Sequence, residues 1–265
     1  MGSGAGVSPL LSDPVGRDHP MADRREEARQ FFIRRLLQSP VGRQVAQITL
    51  FGSSARGEDV ADSDIDLYIV ALESPERVGE VCDALALETA LRFDEVVEPV
   101  VGCVDEFREQ YPPYFFQSVL RDGQEVYRMD EESWRQGEAA NFLALATEYL
   151  EQSRDNLPLG HYRLLVDGAY NAAELCVKGL LRLKGEPIPK RHGRIVQRFS
   201  RLYVLSGELP REMGRRLNRG LRLRNRARYE YHAEITERDA REMLELAESL
   251  VRVLEERLAV WGERG

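Results

Sequence analysis

From Ala22 to Leu37, charged residues alternate with Phe31, Phe32, Ile33, Leu36 and Leu37, the period of an amphipathic helix. An apolar run closing on Ile48-Thr49-Leu50-Phe51 follows, and it predicts a strand over Gln44 to Phe51. Gly52 to Ser63 reads as a turn-rich connector with room for a short helix. A second strand is expected over Asp64 to Ala71. Ser74-Pro75-Glu76 is a helix start, with a capping hydroxyl, proline at the first position and an acid in the first turn. That helix runs to about Arg92, with Val78, Val81, Cys82, Leu85 and Leu91 on its apolar side. Val96 to Val104 predicts a third strand, and Pro99 places it at a sheet edge or a bulge. Short helical pieces over Asp105 to Gln110 and Pro112 to Leu120 lead to an extended segment, Gly123 to Arg128.

Past Met129 to Gly137 the period is helical throughout. Helices are predicted over Ala139 to Gln152, Tyr162 to Lys184, His192 to Leu205, Pro210 to about Tyr229, and Thr236 to Trp261. Gly185-Glu186-Pro187-Ile188-Pro189 breaks the second from the third, and Thr236 with Asp239 caps the last. Five helices with short connections form a bundle. The fold class is therefore α+β: a mixed sheet with flanking helices over residues 21–130, then an all-α bundle over 138–262. Residues 1–20, rich in Gly, Ser and Pro, read as a disordered tail. Met1 to Gly6 is either an added leader or native chain, with Met21 as an alternative start.

Composition narrows the class. The chain has 265 residues, enough for two modest domains, and no apolar run approaches the ~20 residues of a membrane span. No basic-then-apolar leader opens it, and its three cysteines (Cys82, Cys103, Cys176) lack metal-type spacing. The expectation is a cytoplasmic protein with reduced thiols, no structural zinc and no membrane contact. A formal net charge of −8 argues against bulk nucleic-acid binding by the whole surface.

The chemistry concentrates in Phe51 to Val70, F-G-S-S-A-R-G-E-D-V-A-D-S-D-I-D-L-Y-I-V. Asp64 and Asp66 stand at i and i+2, so on a strand both carboxylates point to one face. Such a pair repels itself unless a cation lies between. Mg²⁺ prefers oxygen donors and often brings a phosphate, for which the Gly52-Ser53 turn offers N–H groups and a hydroxyl. Glu98, an acid inside the apolar run Val96-Val97-Glu98-Pro99-Val100, is the leading third carboxylate, with Asp94 and Glu95 as weaker candidates. Arg56 is placed either to touch a phosphate or to cap the turn.

G-S-S-A-R-G-E-D-V-A-D-S-D-I-D-L resembles the Gly-Ser…Asp-x-Asp signature of the DNA polymerase β-like nucleotidyltransferases, in their minimal branch, over roughly Gln47 to Phe107. The resemblance implies that Gly52 and Ser53 hold a triphosphate, that Asp64, Asp66 and Glu98 bind two Mg²⁺ ions, and that a nucleotide monophosphate, AMP from ATP, passes to an acceptor hydroxyl.

The second half resembles the HEPN (higher eukaryotes and prokaryotes nucleotide-binding) domain over Asn141 to Leu258. The residues that carry this are A-Y-N-A-A-E-L-C-V-K-G-L-L, R-H-G-R-I-V-Q-R-F and R-N-R-A-R-Y-E-Y-H. The two domain kinds occur together in toxin–antitoxin pairs and fusions, and HEPN domains often dimerise, so a homodimer is implied. Many HEPN domains are metal-independent ribonucleases with an Arg-x4–6-His motif. Arg226 and His232 have that spacing, and Arg224 with Tyr229 fits a variant pattern lacking the histidine. Arg215, Arg219, Arg222 and Arg226 make one stripe, either a nucleic-acid contact or an internal partner of the glutamates in the last helix. His192, beside Arg191 and Arg194, reads as a phosphate contact or a helix cap.

The function expected is a Mg²⁺-dependent nucleotidyltransferase acting on a protein, RNA or small-molecule acceptor, with the bundle as one wall of its cleft. The alternatives are a HEPN ribonuclease regulated by the first domain, an aminoglycoside-type antibiotic nucleotidyltransferase, or a nucleotide-binding module without turnover.

Overall fold

A computed structural model of the chain describes residues 20–56, 63–109 and 113–262. The expected tail, apart from Pro20, and residues 57–62 of the motif connector lie outside the described residues.

The run Val45–Phe51 forms strand β1, and the turn at Gly52 opens a one-turn helix, α2 (Gly52–Arg56). The chain returns as β2 (Ile65–Ala71), antiparallel to β1 with Phe51 opposite Asp66. Helix α3 (Pro75–Phe93) crosses over to β3 (Val97–Cys103), which runs parallel to β2. After α4 (Val104–Glu109) and α5 (Pro113–Asp122), β4 (Gln124–Arg128) pairs antiparallel with β1. The sheet order is β3-β2-β1-β4, so Pro99 does occupy an edge strand, where its missing N–H costs no ladder bond.

Period-2 alternation divides the sheet into two faces. Ile65, Leu67, Ile69, Ile48 and Leu50 pack against Ala28, Phe32 and Leu36 of α1 (Pro20–Gln38) and Val78, Cys82 and Leu85 of α3. The opposite face carries Asp66, then Tyr68 and Val70, which pack with Val104, Phe116, Val119 and Trp134. Two expectations for α3 fail. Leu91 is 81% exposed, because the helix turns that face away from both α1 and the sheet. Ser74 takes a left-handed φ of 43° and makes no side-chain cap, so Pro75 and the first-turn Glu76 alone mark the start.

The bundle consists of α6 (Glu131–Asp155), α7 (Tyr162–Leu183), α8 (His192–Phe199, continued by a π-helical turn over Ser200–Val204), α9 (Arg211–Tyr229) and α10 (Glu237–Gly262). Helix α7 is its axis, with Leu165, Val166, Ala169, Tyr170, Ala173, Val177 and Leu180 buried among the others. The cap on α10 is reciprocal: Asp239 N–H donates to Thr236 Oγ1 at 3.2 Å, and Thr236 N–H donates to Asp239 Oδ2 at 3.0 Å.

Helix α6 begins eight residues earlier than the pattern predicts, at Glu131 instead of Ala139. The reason is local. Asp130 caps it by accepting from Ser133 N–H at 2.8 Å, and Glu131 and Glu132 favour the positive end of the helix dipole. The stretch between the two predicted domains is thus helical and docked. Trp134 is buried in the sheet-side cluster, the Asn141 amide donates to the Leu72 carbonyl, and a Cβ at Gly137 would strike Leu72. Among the described residues no helix is long and apolar enough to cross a membrane.

Candidate active site

Three acids lie around the corner where β1 ends and β2 and β3 begin. Asp64 sits just before β2 and is exposed; Asp66 is the second residue of β2 and is half-buried. Glu98 is the direct parallel partner of Asp66 across β2–β3 and is exposed. Asp66 registers the convergence: burial, then the charge of Glu98, then that of Asp64 push its carboxyl above the ordinary range, while Arg25 and Arg56 pull it down. The weaker candidates for the third acid have other work. Asp94 is the left-handed C-cap of α3 at φ 54°, and Glu95 is buried against Arg24 at 3.0 Å and Arg25 at 3.8 Å.

Gly52 fits the same corner. Its φ is +73°, and an added Cβ would collide with Asp66 Oδ2, so only glycine lets the turn lie against that carboxylate. Ser53 follows in α2, half-buried. The Arg56 guanidinium, whose charge reaches Asp66, faces Asp122 at 3.5 Å, while the nearby Gln124 amide donates to Ala55 O at 2.8 Å.

Hard oxygen donors in register on adjacent strands, mutually repelling and partly desolvated, have the chemistry a divalent cation requires. Among the described residues, however, no three His, Cys, Asp or Glu side chains stand close enough to form a ready ligand set.

Family models match in the same order as the architecture: polymerase β nucleotidyltransferase over residues 33–132, and the HEPN domain over 139–257. MJ0604 of Methanocaldococcus jannaschii, which bears the name of a protein adenylyltransferase, is 31% identical over 102 residues, 38% of this chain and 97% of that protein. The chain belongs to the polymerase β nucleotidyltransferase family, with a HEPN domain fused behind. Two solved structures are also similar. The archaeal HEPN homologue ST0689 has 24% identity and a TM-score of 0.36, over 45% of this chain and 97% of that one. The spectinomycin adenyltransferase AAD(9) from Enterococcus faecialis has 12% identity and a TM-score of 0.28, over 89% of this chain and 99% of that one.

In the HEPN domain, each residue singled out by motif has contacts of its own. Arg226 is exposed and faces Glu230 at 3.8 Å; His232 lies in the following turn, edge-on to the Tyr231 ring at 4.8 Å. Among the described residues no hydrogen bond joins Arg226 to His232. Arg224 is instead buried on Asp167 at 3.0 Å, with its guanidinium 5.8 Å from the Tyr229 ring. The arginine stripe is largely paired: Arg215 with Glu212 at 3.3 Å, and Arg219 with Glu242 of α10 at 3.0 Å. The neighbouring Arg216 faces Glu245 at 3.7 Å. His192 contacts the buried Glu174 through Nδ1 at 2.6 Å, and Glu174 also accepts from the Tyr170 hydroxyl at 3.2 Å.

The bundle meets the nucleotidyltransferase domain at Leu72, the far end of β2 from Asp64. Eight residue steps along β2 separate the two, roughly 26 Å. The Leu72 contacts therefore brace the sheet at the end away from the acids, while Trp134 packs on the face that carries Asp66, in the cluster of Tyr68, Val104 and Phe116. Outside the motif, the Arg25 guanidinium also reaches this corner, at Ser54, Ser63 and Asp64.

Proposed function

We propose that the chain is a nucleotidyltransferase that moves a nucleoside monophosphate, AMP from ATP, onto an acceptor hydroxyl. The observation that carries this reading is the register of Asp66 against Glu98, with the bare Cα of Gly52 packed on the Asp66 carboxylate. The similarity to MJ0604 supports adenylyl as the group transferred.

Asp64, Asp66 and Glu98 are the residues that would hold Mg²⁺. When bound, the metal would supply charge neutralisation for the attacking and leaving oxygens of an in-line displacement. The Gly52-Ser53 turn holds the distal phosphates through its N–H groups and the serine hydroxyl. Glu98, on the open edge strand, accepts the acceptor's proton as the new P–O bond forms and pyrophosphate departs. Its exposure leaves room for an acceptor to approach from β3.

The test is incubation of the full chain with α-³²P-ATP and Mg²⁺, alone and with protein, RNA and aminoglycoside acceptors. Label transfer that disappears in both Asp64→Ala and Asp66→Ala supports the reading, and the acceptor that takes the label identifies the substrate class. Transfer that survives both substitutions refutes it.

A further inference from the structure

Arg25 lies in the second turn of α1, outside every motif, and is only 9% exposed. Its Nη2 donates to Ser54 Oγ at 3.1 Å, to Ser63 O at 2.6 Å and to Asp64 O at 3.2 Å. Ser54 is in α2, the helix that opens at the Gly52 turn; Ser63 and Asp64 lead into β2. Ser54 Oγ itself donates to Asp64 O at 3.3 Å, so the turn and the strand start are joined twice. Behind, Arg25 Nε faces Glu95, which Arg24 also holds at 3.0 Å. Glu95 directly precedes the Val96 carbonyl that receives Ile65 N–H at 2.8 Å, the first bond between β2 and β3. One guanidinium thus touches the segments bearing the phosphate turn and Asp64, and through Glu95 it anchors the strand bearing Glu98.

We propose that Arg25 is a positioning residue of the active site: it sets the distance between the Gly52-Ser53 turn and the acids Asp64, Asp66 and Glu98, so that the corner is formed before nucleotide arrives. This rests on the nucleotidyltransferase reading above. The geometry favours arginine, because Nη2 addresses three oxygens while Nε of the same plane faces Glu95, and lysine's single ammonium nitrogen cannot stand in both places. A helix that only covered the sheet would need no buried cation here; Phe32 and Leu36 of the same helix already supply that packing with fully buried side chains. On Ser63 and Asp64 the targets are backbone carbonyls, so Arg25 fixes the chain path there and leaves the Asp64 side chain to the metal.

The experiment measures Mn²⁺·ATP binding to the full chain by electron paramagnetic resonance, beside thermal melting, for wild type, Arg25→Lys, Arg25→Ala, Phe32→Leu and Asp66→Asn. Wild type is expected to bind and Asp66→Asn to lose binding. Both Arg25 variants should weaken binding at least tenfold at a temperature where each is folded. Arg25→Lys, which keeps the charge, decides the matter if Arg25→Ala does not fold. Phe32→Leu should melt lower yet bind within twofold of wild type, separating positioning from stability. Arg25→Lys binding as wild type does, or Phe32→Leu weakening binding as much, overturns the assignment while leaving the nucleotidyltransferase reading intact. Wild type that takes up no Mn²⁺·ATP, or Asp66→Asn that binds unchanged, overturns both.

Discussion

Asp66 stands directly opposite Glu98 across the parallel β2–β3 pair, so an edge-strand acid and an interior-strand acid share one face and one level of the sheet. Burial, and after it the charge of Glu98, push the Asp66 carboxyl above the ordinary range, as the shared level of the two acids on the sheet leads one to expect. Exchanging Glu98 for Gln keeps its shape and removes its basicity. Adenylyl transfer by Glu98→Gln is expected to fall by about 10²-fold or more, the usual share of a general base. Rates of label transfer from α-³²P-ATP provide the check, and a rate within threefold of wild type removes Glu98 from the mechanism.

Gly52→Ala tests the other side of the same corner. A left-handed backbone costs a non-glycine residue about 1–2 kcal/mol, and the new Cβ displaces the Asp66 carboxylate. The variant is expected to melt roughly 4 °C lower and to lose Mn²⁺·ATP binding. Gly160, at φ +70° with open space around its Cα, is the control: Gly160→Ala bears the backbone cost and keeps the binding.

How much of this was legible in the sequence depends on whether the signal was local. Asp64, Asp66, Gly52 and the edge position of Pro99 were legible because period 2 and turn chemistry are written in neighbouring residues. Glu98 was readable as an acid in an apolar strand, although its register with Asp66 required the fold. Arg25 was not readable: on α1 it is one of several charges in an amphipathic pattern, and its partners lie 29 to 39 residues away. The pattern places the start of α6 late because the residues before Ala139 are mostly polar and carry no apolar period, whereas Trp134 docks that turn on the sheet. Arg226 and His232 were legible by spacing, and spacing does not decide where two side chains point.

Arg224 and Asp167 form a largely buried pair inside the HEPN domain, with Arg228 adding a second contact to Asp167 at 3.5 Å. Removing the acid leaves a buried guanidinium facing a second arginine. A fully buried pair so broken costs about 3–5 kcal/mol. Asp167 is 30% exposed, so a loss of about 2 kcal/mol is expected for Asp167→Ala. The double variant Asp167→Ala/Arg224→Met should lose clearly less than the two single losses summed, since the stranded charge is gone. Urea melts of the four proteins close the cycle, and simple additivity would show that the pair is not coupled.

The three cysteines should differ sharply in reactivity, by burial. Burial is the main cause that pushes both the Cys82 and the Cys176 thiols up to about 12. The thiolate is the nucleophile, and a raised pKa depletes it at every pH below that value. At pH 8 the thiolate fraction at either site is on the order of 10⁻⁴. Both sulfurs are also closed to a reagent, one between α3 and the sheet and the other on α7 inside the bundle. Cys103, at the end of β3, is only half-buried, and its sulfur accepts from Glu106 N–H at 3.5 Å. With Ellman's reagent at pH 8, the folded chain is expected to release about one equivalent of thiolate promptly, and three after denaturation in guanidinium. Cys103→Ser should abolish the prompt phase and leave two equivalents on denaturation. A prompt phase that survives Cys103→Ser would mean that Cys82 or Cys176 is reached without unfolding, against the packing of α3 or α7.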